Sequence, residues 1–322
     1  MPIDRKAALD YAKKFWNRVT DDDRYWTENA VVLLDDKRKK MDAPAKDGWE
    51  AFFVPNGTGG EKAIFRRTVA GKTEDKPDPI ATWDELDDCT HYVCRCLLKE
   101  GITLRETPRA NELTEAMLKS SKTKTLALKV SKDEGQKAVD SGIFKPGDLV
   151  GYYTDKKSRY THTAMFVGKQ TTAADDPGGI SCHTLCRFEG LTKAWNTADD
   201  DAWFLHEEAG RSYTLIHFSE DDPALSTATL KWLPGWWRVG EEFYFVLEDG
   251  RAFASAFKPR KSTDKLAHGI STGYYFEADK EVVFVWRKPR GVVQVERWTA
   301  PTSTAEASLK VDGPPLSLTR VF

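Results

Sequence analysis

Asp87-Asp88-Cys89-Thr90-His91-Tyr92-Val93-Cys94-Arg95-Cys96-Leu97-Leu98-Lys99-Glu100-Gly101 is the stretch on which the fold of this chain turns. It reads as one helix. The acids at its start complement the helix dipole, and Lys99 followed by Gly101 marks its end. Cys89 falls in the first turn, where unpaired backbone N–H groups and the positive end of the dipole favour a thiolate. Cys89, Val93, Cys96 and Leu97 share one helical face, so the stripe that packs the helix also carries the sulfur to the edge of a core. His91 lies on the face away from Cys89 and reads as a surface residue.

A nucleophilic thiolate needs a proton acceptor, and His162 is the candidate. Thr161-His162-Thr163-Ala164-Met165-Phe166-Val167-Gly168 reads as a strand with His162 at its entrance. The preceding Pro146-Gly147-Asp148-Leu149-Val150-Gly151-Tyr152-Tyr153 forms a hairpin with it. A Cys-bearing helix packed on a His-bearing sheet is how papain-like enzymes pair nucleophile and base.

Here the chain resembles a known group. Asp88 to Leu97 is similar to the Asp-Cys-Thr-Asn-Phe-Val-Ser-Gln-Cys-Leu pattern of the putative-amidase family. That family is related to the NlpC-type and CHAP peptidoglycan amidases, which are bacterial papain-like cysteine hydrolases. Asp4 to Ala12 resembles the family's first helix. Gly147-Asp148-Leu149-Val150, Thr161-His162-Thr163-Ala164 and Ser181-Cys182-His183-Thr184 resemble its later blocks, in the same order. The resemblance implies Cys89 as nucleophile, His162 as base and His183 as the polar group that orients the imidazole. It also implies that Asp88 and Thr90 shape the oxyanion region. His91 stands where the family has Asn and Cys94 where it has Ser, and residues 27–82 form a long insertion before the Cys89 helix. The implied substrate is a peptide, chiefly the peptide part of peptidoglycan. An exported antibacterial effector would have an immunity protein as partner.

The 322 residues suggest about two domains. With 48 basic against 50 acidic side chains, charge gives no reason to expect nucleic acid. Mean hydropathy is −0.55, and no run approaches the roughly 18 apolar residues of a membrane span. Met1-Pro2-Ile3-Asp4-Arg5-Lys6 carries no signal-peptide pattern, so synthesis in the cytoplasm is expected, with export by a dedicated secretion system. Five cysteines, an odd number, argue for a reduced chain rather than a disulfide scaffold. A zinc site from Cys94, Cys96, Cys182, His183 and Cys186 has poor spacing: Cys94 and Cys96 sit mid-helix about 200° apart. No cofactor and no metal are expected.

Along the chain, Asp4 to about Val19 reads as an amphipathic helix capped by Asp4. Residues 27–82 read as an irregular insertion with a few strands, and Asn111 to about Ser141 as a Lys-rich helical region. Strands follow at Asp148–Tyr153, His162–Val167 and Ile180–Phe188. Past a polar boundary at 220–228, eight strand-like pieces recur between Trp236 and Val321 with turns between them. They point to an antiparallel meander closed into a small barrel. Gly235-Trp236-Trp237 resembles the Gly-x-Trp opening of lipocalin-like barrels, in which the Trp closes one end.

The expected fold is therefore α+β: a papain-like (NlpC-type) domain over 1–222 and an all-β, lipocalin-like barrel over 229–322. The expected activity is that of a cysteine amidase or peptidase. Two alternatives stay open: an acyltransferase or transglutaminase on the same fold, and a non-enzymatic binding protein whose thiol is structural.

Overall fold

The computed structural model describes residues 3–26, 31–41, 47–55, 59–77, 88–168, 178–183, 187–188, 191–192, 209–220, 222–256, 258–259, 261, 271–278, 281–303, 306–310 and 316–321. In chain order the elements are α1 (Arg5–Phe15), β1 (Arg24–Trp26), β2 (Val31–Leu33), β3 (Glu50–Pro55), β4 (Glu61–Val69), β5 (Lys72–Pro77), α2 (Cys89–Glu100) and α3 (Ala110–Lys119). Then come β6 (Thr123–Val130), α4 (Lys132–Asp140), β7 (Leu149–Thr154), β8 (Arg159–Gly168), β9 (Gly179–Cys182), β10 (Arg187–Phe188), β11 (Leu191–Thr192) and β12 (Arg211–Phe218). The last part holds α5 (Thr227–Trp232), β13 (Gly235–Val239), β14 (Glu242–Val246), β15 (Arg251–Ser255), β16 (Ser271–Ala278), β17 (Glu281–Arg287), β18 (Val293–Ser303), β19 (Glu306–Lys310) and β20 (Leu316–Arg320). The fold is mixed α+β with antiparallel sheets. No helix among the described residues is long and apolar enough to cross a membrane.

The chain divides into two compact units. One comprises Met1–Lys119 and Lys145–Arg211, the other Ser120–Phe144 and Ser212–Phe322. In the first, β11-β10-β9-β8-β7 form consecutive antiparallel strands of a sheet. Asp4 caps α1 by accepting from Ala7 N at 3.0 Å, and Ala8, Tyr11 and Ala12 bury one face of that helix. Arg5, on the same helix, meets Asp148 and the Pro146 carbonyl at 2.8 Å each. This explains the Gly147-Asp148 block. Gly147 has φ +99, and a Cβ there would stand 2.8 Å from Glu100 Oε1, so a side chain is excluded twice over.

The insertion is more regular than its sequence suggests. β3, β4 and β5 form an antiparallel sheet, Glu50 opposite Arg66 and Val69 opposite Lys72. Ala70 and Gly71 both have positive φ in the β4–β5 turn, as a two-residue hairpin of this twist requires. Glu61 ties the sheet to the segment that follows α1 by accepting from Val19 N at 3.0 Å.

The Lys-rich region expected to be helical from Asn111 to Ser141 is instead α3, β6 and α4. Thr125, Leu126, Ala127 and Val130 are buried while Leu128 and Lys129 are exposed, so it is tertiary pairing with β12, not a strict alternation, that overrides helix propensity here. β12 itself went unforeseen.

In the second unit, each strand from β13 to β20 pairs with the next, and β20 pairs back with β13, Trp237 opposite Arg320. The expected meander of eight strands is thus a closed barrel. Trp237, Tyr244, Tyr275, Phe284, Trp286, Trp298 and Leu318 belong to its buried core. Trp237 Nε1 donates to the Leu233 carbonyl at 2.7 Å, and the Arg320 guanidinium lies 5.9 Å over its ring. Glu296 is buried among these rings and accepts from Tyr244 Oη at 3.1 Å and Trp298 Nε1 at 3.2 Å. Burial pushes its carboxyl above the ordinary range despite those bonds.

A Cβ on Gly273 would lie 2.6 Å from Cε3 of the fully buried Trp286. Gly273→Ala is therefore expected to destabilise the barrel by about 1–3 kcal/mol through overpacking. That outweighs the gain of up to ~1 kcal/mol from a stiffer unfolded chain. Urea unfolding followed by tryptophan fluorescence checks this, and an unchanged midpoint would show that the ring yields freely.

Candidate active site

The site grows from the start of α2. Asp88 takes the N-cap position with φ −104, yet its side chain bonds no helix N–H. Both of its oxygens are engaged elsewhere. Oδ2 meets His183 Nδ1 at 2.9 Å, and Oδ1 meets His91 Nδ1 at 3.3 Å. All three side chains are fully buried. Burial disfavours the Asp88 charge, but the bonds from His183 and then His91 outweigh it and hold the carboxyl below its usual range.

His183 follows β9 directly, and its Nε2 donates to the Phe15 carbonyl at the end of α1 at 2.8 Å. Its ring stacks on Tyr92 with centroids 4.1 Å apart. Tyr92 Oη donates to the Ala12 carbonyl at 3.2 Å and is also bonded to the Ser181 hydroxyl. One turn of α2 is thus tied at once to α1 and β9.

Cys89 is the first residue of α2 and only 1% exposed. Its Sγ lies 3.6 Å from Thr90 Oγ1, which in turn lies 3.4 Å from the Thr163 hydroxyl on β8. Cys89 and Thr90 line a cleft of about 390 Å³ whose other walls include Arg109, Asn111, Lys157, Arg159, Tyr160 and Thr161. The side chain of Asn111 accepts from Tyr160 N at 3.1 Å and fixes α3 against that wall.

The other described thiols stand differently. Burial pushes Cys94 up to about 12 and raises Cys96 as well, so both remain protonated and serve packing. Cys182 is buried in β9. Cys186, a member of the zinc alternative, lies outside the described residues.

Asp88, Cys89, Thr90 and His183 therefore come together at one helix end. His183 reaches the turn of Cys89 through Asp88. His162 sits half-buried on β8, opposite Tyr152. The two rings are 4.9 Å apart and tilted by 60°. The register shifts between Tyr152 and Tyr153, which leaves Thr161 as the extra residue of a bulge. Such a bulge re-aims strand side chains beside a cleft.

His91, expected at the surface, is fully buried. The reason is a carboxylate on each side: its Nε2 lies 3.2 Å from Asp22 Oδ2 and 3.8 Å from Glu106 Oε2, with Asp88 on Nδ1. The signal was present in the sequence, because Asp88 and His91 are three apart and so neighbours on a helix. Asp22, His91 and Glu106 are also the described residues whose donor atoms could converge on a metal ion, all within 4.8 Å of one another.

Residues 81–207 match a family model described as Putative amidase domain, which suggests amide-bond hydrolysis and hence a hydrolase. The match spans α2 with Cys89, the strand that carries His162, and β9 with His183 just after it. Neither curated proteins nor solved structures yield a match.

The His91 cluster makes stability depend on pH. Burial lowers the affinity of this imidazole for a proton, but bonds to Asp22 and Asp88 outweigh it and raise it to about 9 from 6.5. The resulting stability is complete below about pH 6 and is lost as pH rises towards 9, at roughly 3–4 kcal/mol in total. Thermal melts in chelator should therefore fall between pH 6.5 and 9 for the native chain. His91→Asn should be less stable and lack that slope. Equal slopes for both proteins would place the protonated His91 pair in error.

Proposed function

We propose that the protein is a cysteine amidase of the papain-like, NlpC-related kind, with Cys89 as its nucleophile. The observation that carries this is the position of Cys89: the first residue of α2, on the wall of a cleft, inside the segment that matches the amidase model. Helix N–H groups without intrahelical partners point at that position and favour negative charge there.

The reaction follows from these parts. The Cys89 thiol gives its proton to His162, its sulfur attacks an amide carbonyl carbon, and the C=O electron pair moves onto oxygen. Backbone N–H groups at the start of α2, with Thr90 beside them, hold that oxyanion. The intermediate collapses with loss of the amine, which takes its proton from His162, leaving a thioester on Cys89. Water, deprotonated by His162, then attacks the thioester and releases the acid, and His162 returns that proton to the departing Cys89 sulfur to restore the thiol. The family resemblance assigns His162 this role, and its place at the bulged start of β8, next to the cleft-lining Thr161, supports it. Asp88, held by His183, fixes the turn that presents the sulfur.

The cleft carries Arg109, Lys157 and Arg159 against Glu112, and Glu112 is already bonded to Arg109 at 2.9 Å. This excess of cationic side chains suits a peptide that bears carboxylates. The resemblance of the Cys89 block to peptidoglycan amidases supports the peptide part of the bacterial wall as substrate. An exported effector, countered by an immunity protein over the cleft, is the biological role consistent with that substrate. We read the barrel as a lipocalin-like appendage with Trp237 packed at one end.

Digestion of purified peptidoglycan, with release of new amines followed over time, tests this reading. Cys89→Ala should abolish release and His162→Ala should lower it by at least about 10²-fold, both with native circular dichroism. Asp88→Asn should lose activity together with stability. Release that persists in Cys89→Ala would remove the thiol from the mechanism.

A further inference from the structure

We propose that a cleft on the second unit, built around Arg287, binds a small organic acid, with the carboxylate on Arg287 and a short apolar stem against Leu128, Val130 and Val292. The cleft has a volume of about 300 Å³, at the lower end of the range for small-molecule sites. It lies where β6 packs against β17 and the turn at 289–291, and all its lining residues belong to the second unit. On β17, Phe284 and Trp286 face the barrel core, so alternation sends Arg287 to the outer face. There it is flanked by its partners in register, Thr272 on β16 and Val293 on β18.

Arg287 is what marks the cleft as a site. Its Nε is buried and, among the described residues, has no acceptor, and no carboxylate pairs with the guanidinium. A buried donor left unsatisfied is costly, and proteins rarely keep one without a use. Elsewhere on the barrel, Arg251 and Arg297 each meet a carboxylate, Asp249 and Glu281 respectively. No acidic side chain is among the described residues that line the cleft. Glu134 comes near by accepting from Val293 N, but its other oxygen is bonded to Lys137 at 2.8 Å. Lys288 is taken by Glu242 at 2.9 Å. Arg290, exposed in the turn, adds a second cation with no ion pair among the described residues.

The walls give the ligand its second property. Leu128 and Val292 are 38% and 44% exposed, and they stand with Val130 around the same cleft. Large apolar side chains left in water beside an unpaired guanidinium suit a ligand with an anionic head and an apolar stem. The planar fork of Arg287 can donate to both oxygens of a carboxylate. None of these residues takes part in the proposed amide hydrolysis, so the site stands whether or not that reading does.

Hexanoate is the probe, titrated against the full-length protein by ligand-detected NMR, with acetate and hexylamine as controls. The native chain should bind hexanoate saturably within about 10 mM. Acetate should bind at least about tenfold more weakly for want of the stem, and hexylamine should not bind. Arg287→Gln should lose at least about tenfold in hexanoate affinity while keeping native circular dichroism, because the arginine has no protein partner to lose. Val292→Asp, at an exposed position, should weaken hexanoate as well. Absence of saturable hexanoate binding, binding that both variants retain, or equal binding of acetate or hexylamine would each overturn the site.

Discussion

A buried carboxylate between two imidazoles holds this protein's candidate site together. Asp88 meets His183 on one side and His91 on the other, and the three residues belong to the N-cap of α2, the end of β9 and the first turn of α2. Isolated, a buried Asp would cost several kcal/mol. Paired twice, it becomes a clamp whose loss leaves an uncompensated charge, a penalty of about 3–5 kcal/mol. Such an arrangement adds little net stability over apolar packing. What it fixes is position, because the residue after Asp88 is Cys89.

The rest of the first unit carries that position outward. Tyr92, one turn into α2, packs its ring on His183 and donates to α1. Arg5, at the other end of α1, meets Asp148 before β7. From Asp148 the hairpin of β7 and β8 leads back to Thr163, whose hydroxyl lies beside that of Thr90. Helix, sheet and the Cys89 turn form a closed mechanical loop whose cross-links are hydrogen bonds and ring contacts between buried or half-buried groups. Rigid support of this kind is what a nucleophile needs if its geometry is to match an amide carbonyl without reorganisation.

Much of this was legible in the sequence where local rules suffice. α2 ends at Gly101 as read, with φ +94, and Asp4 caps α1. The alternating strands past residue 235 close into a barrel because period two, turn spacing and aromatic content agree there. The misses came where tertiary pairing overrides local preference. Thr123–Val130 contains lysines and lies between helices, yet pairing with β12 makes it a strand. His91 looked exposed because its carboxylate partners Asp22 and Glu106 are distant in sequence. Nothing local marks Ser120–Phe144 as part of the same unit as the barrel, since such membership is set by long-range contacts alone.

The central claim is that Cys89 alone among the described thiols is a reactive one, and its alkylation rate tests this most directly. Native protein is exposed briefly to iodoacetamide between pH 6 and 7, then unfolded, and the modified peptides are mapped by mass. Cys89 is expected to be alkylated at least about tenfold faster than Cys94, Cys96 or Cys182, as a thiolate at a helix start should be. Labelling of Cys89 no faster than those three buried thiols would contradict the assignment.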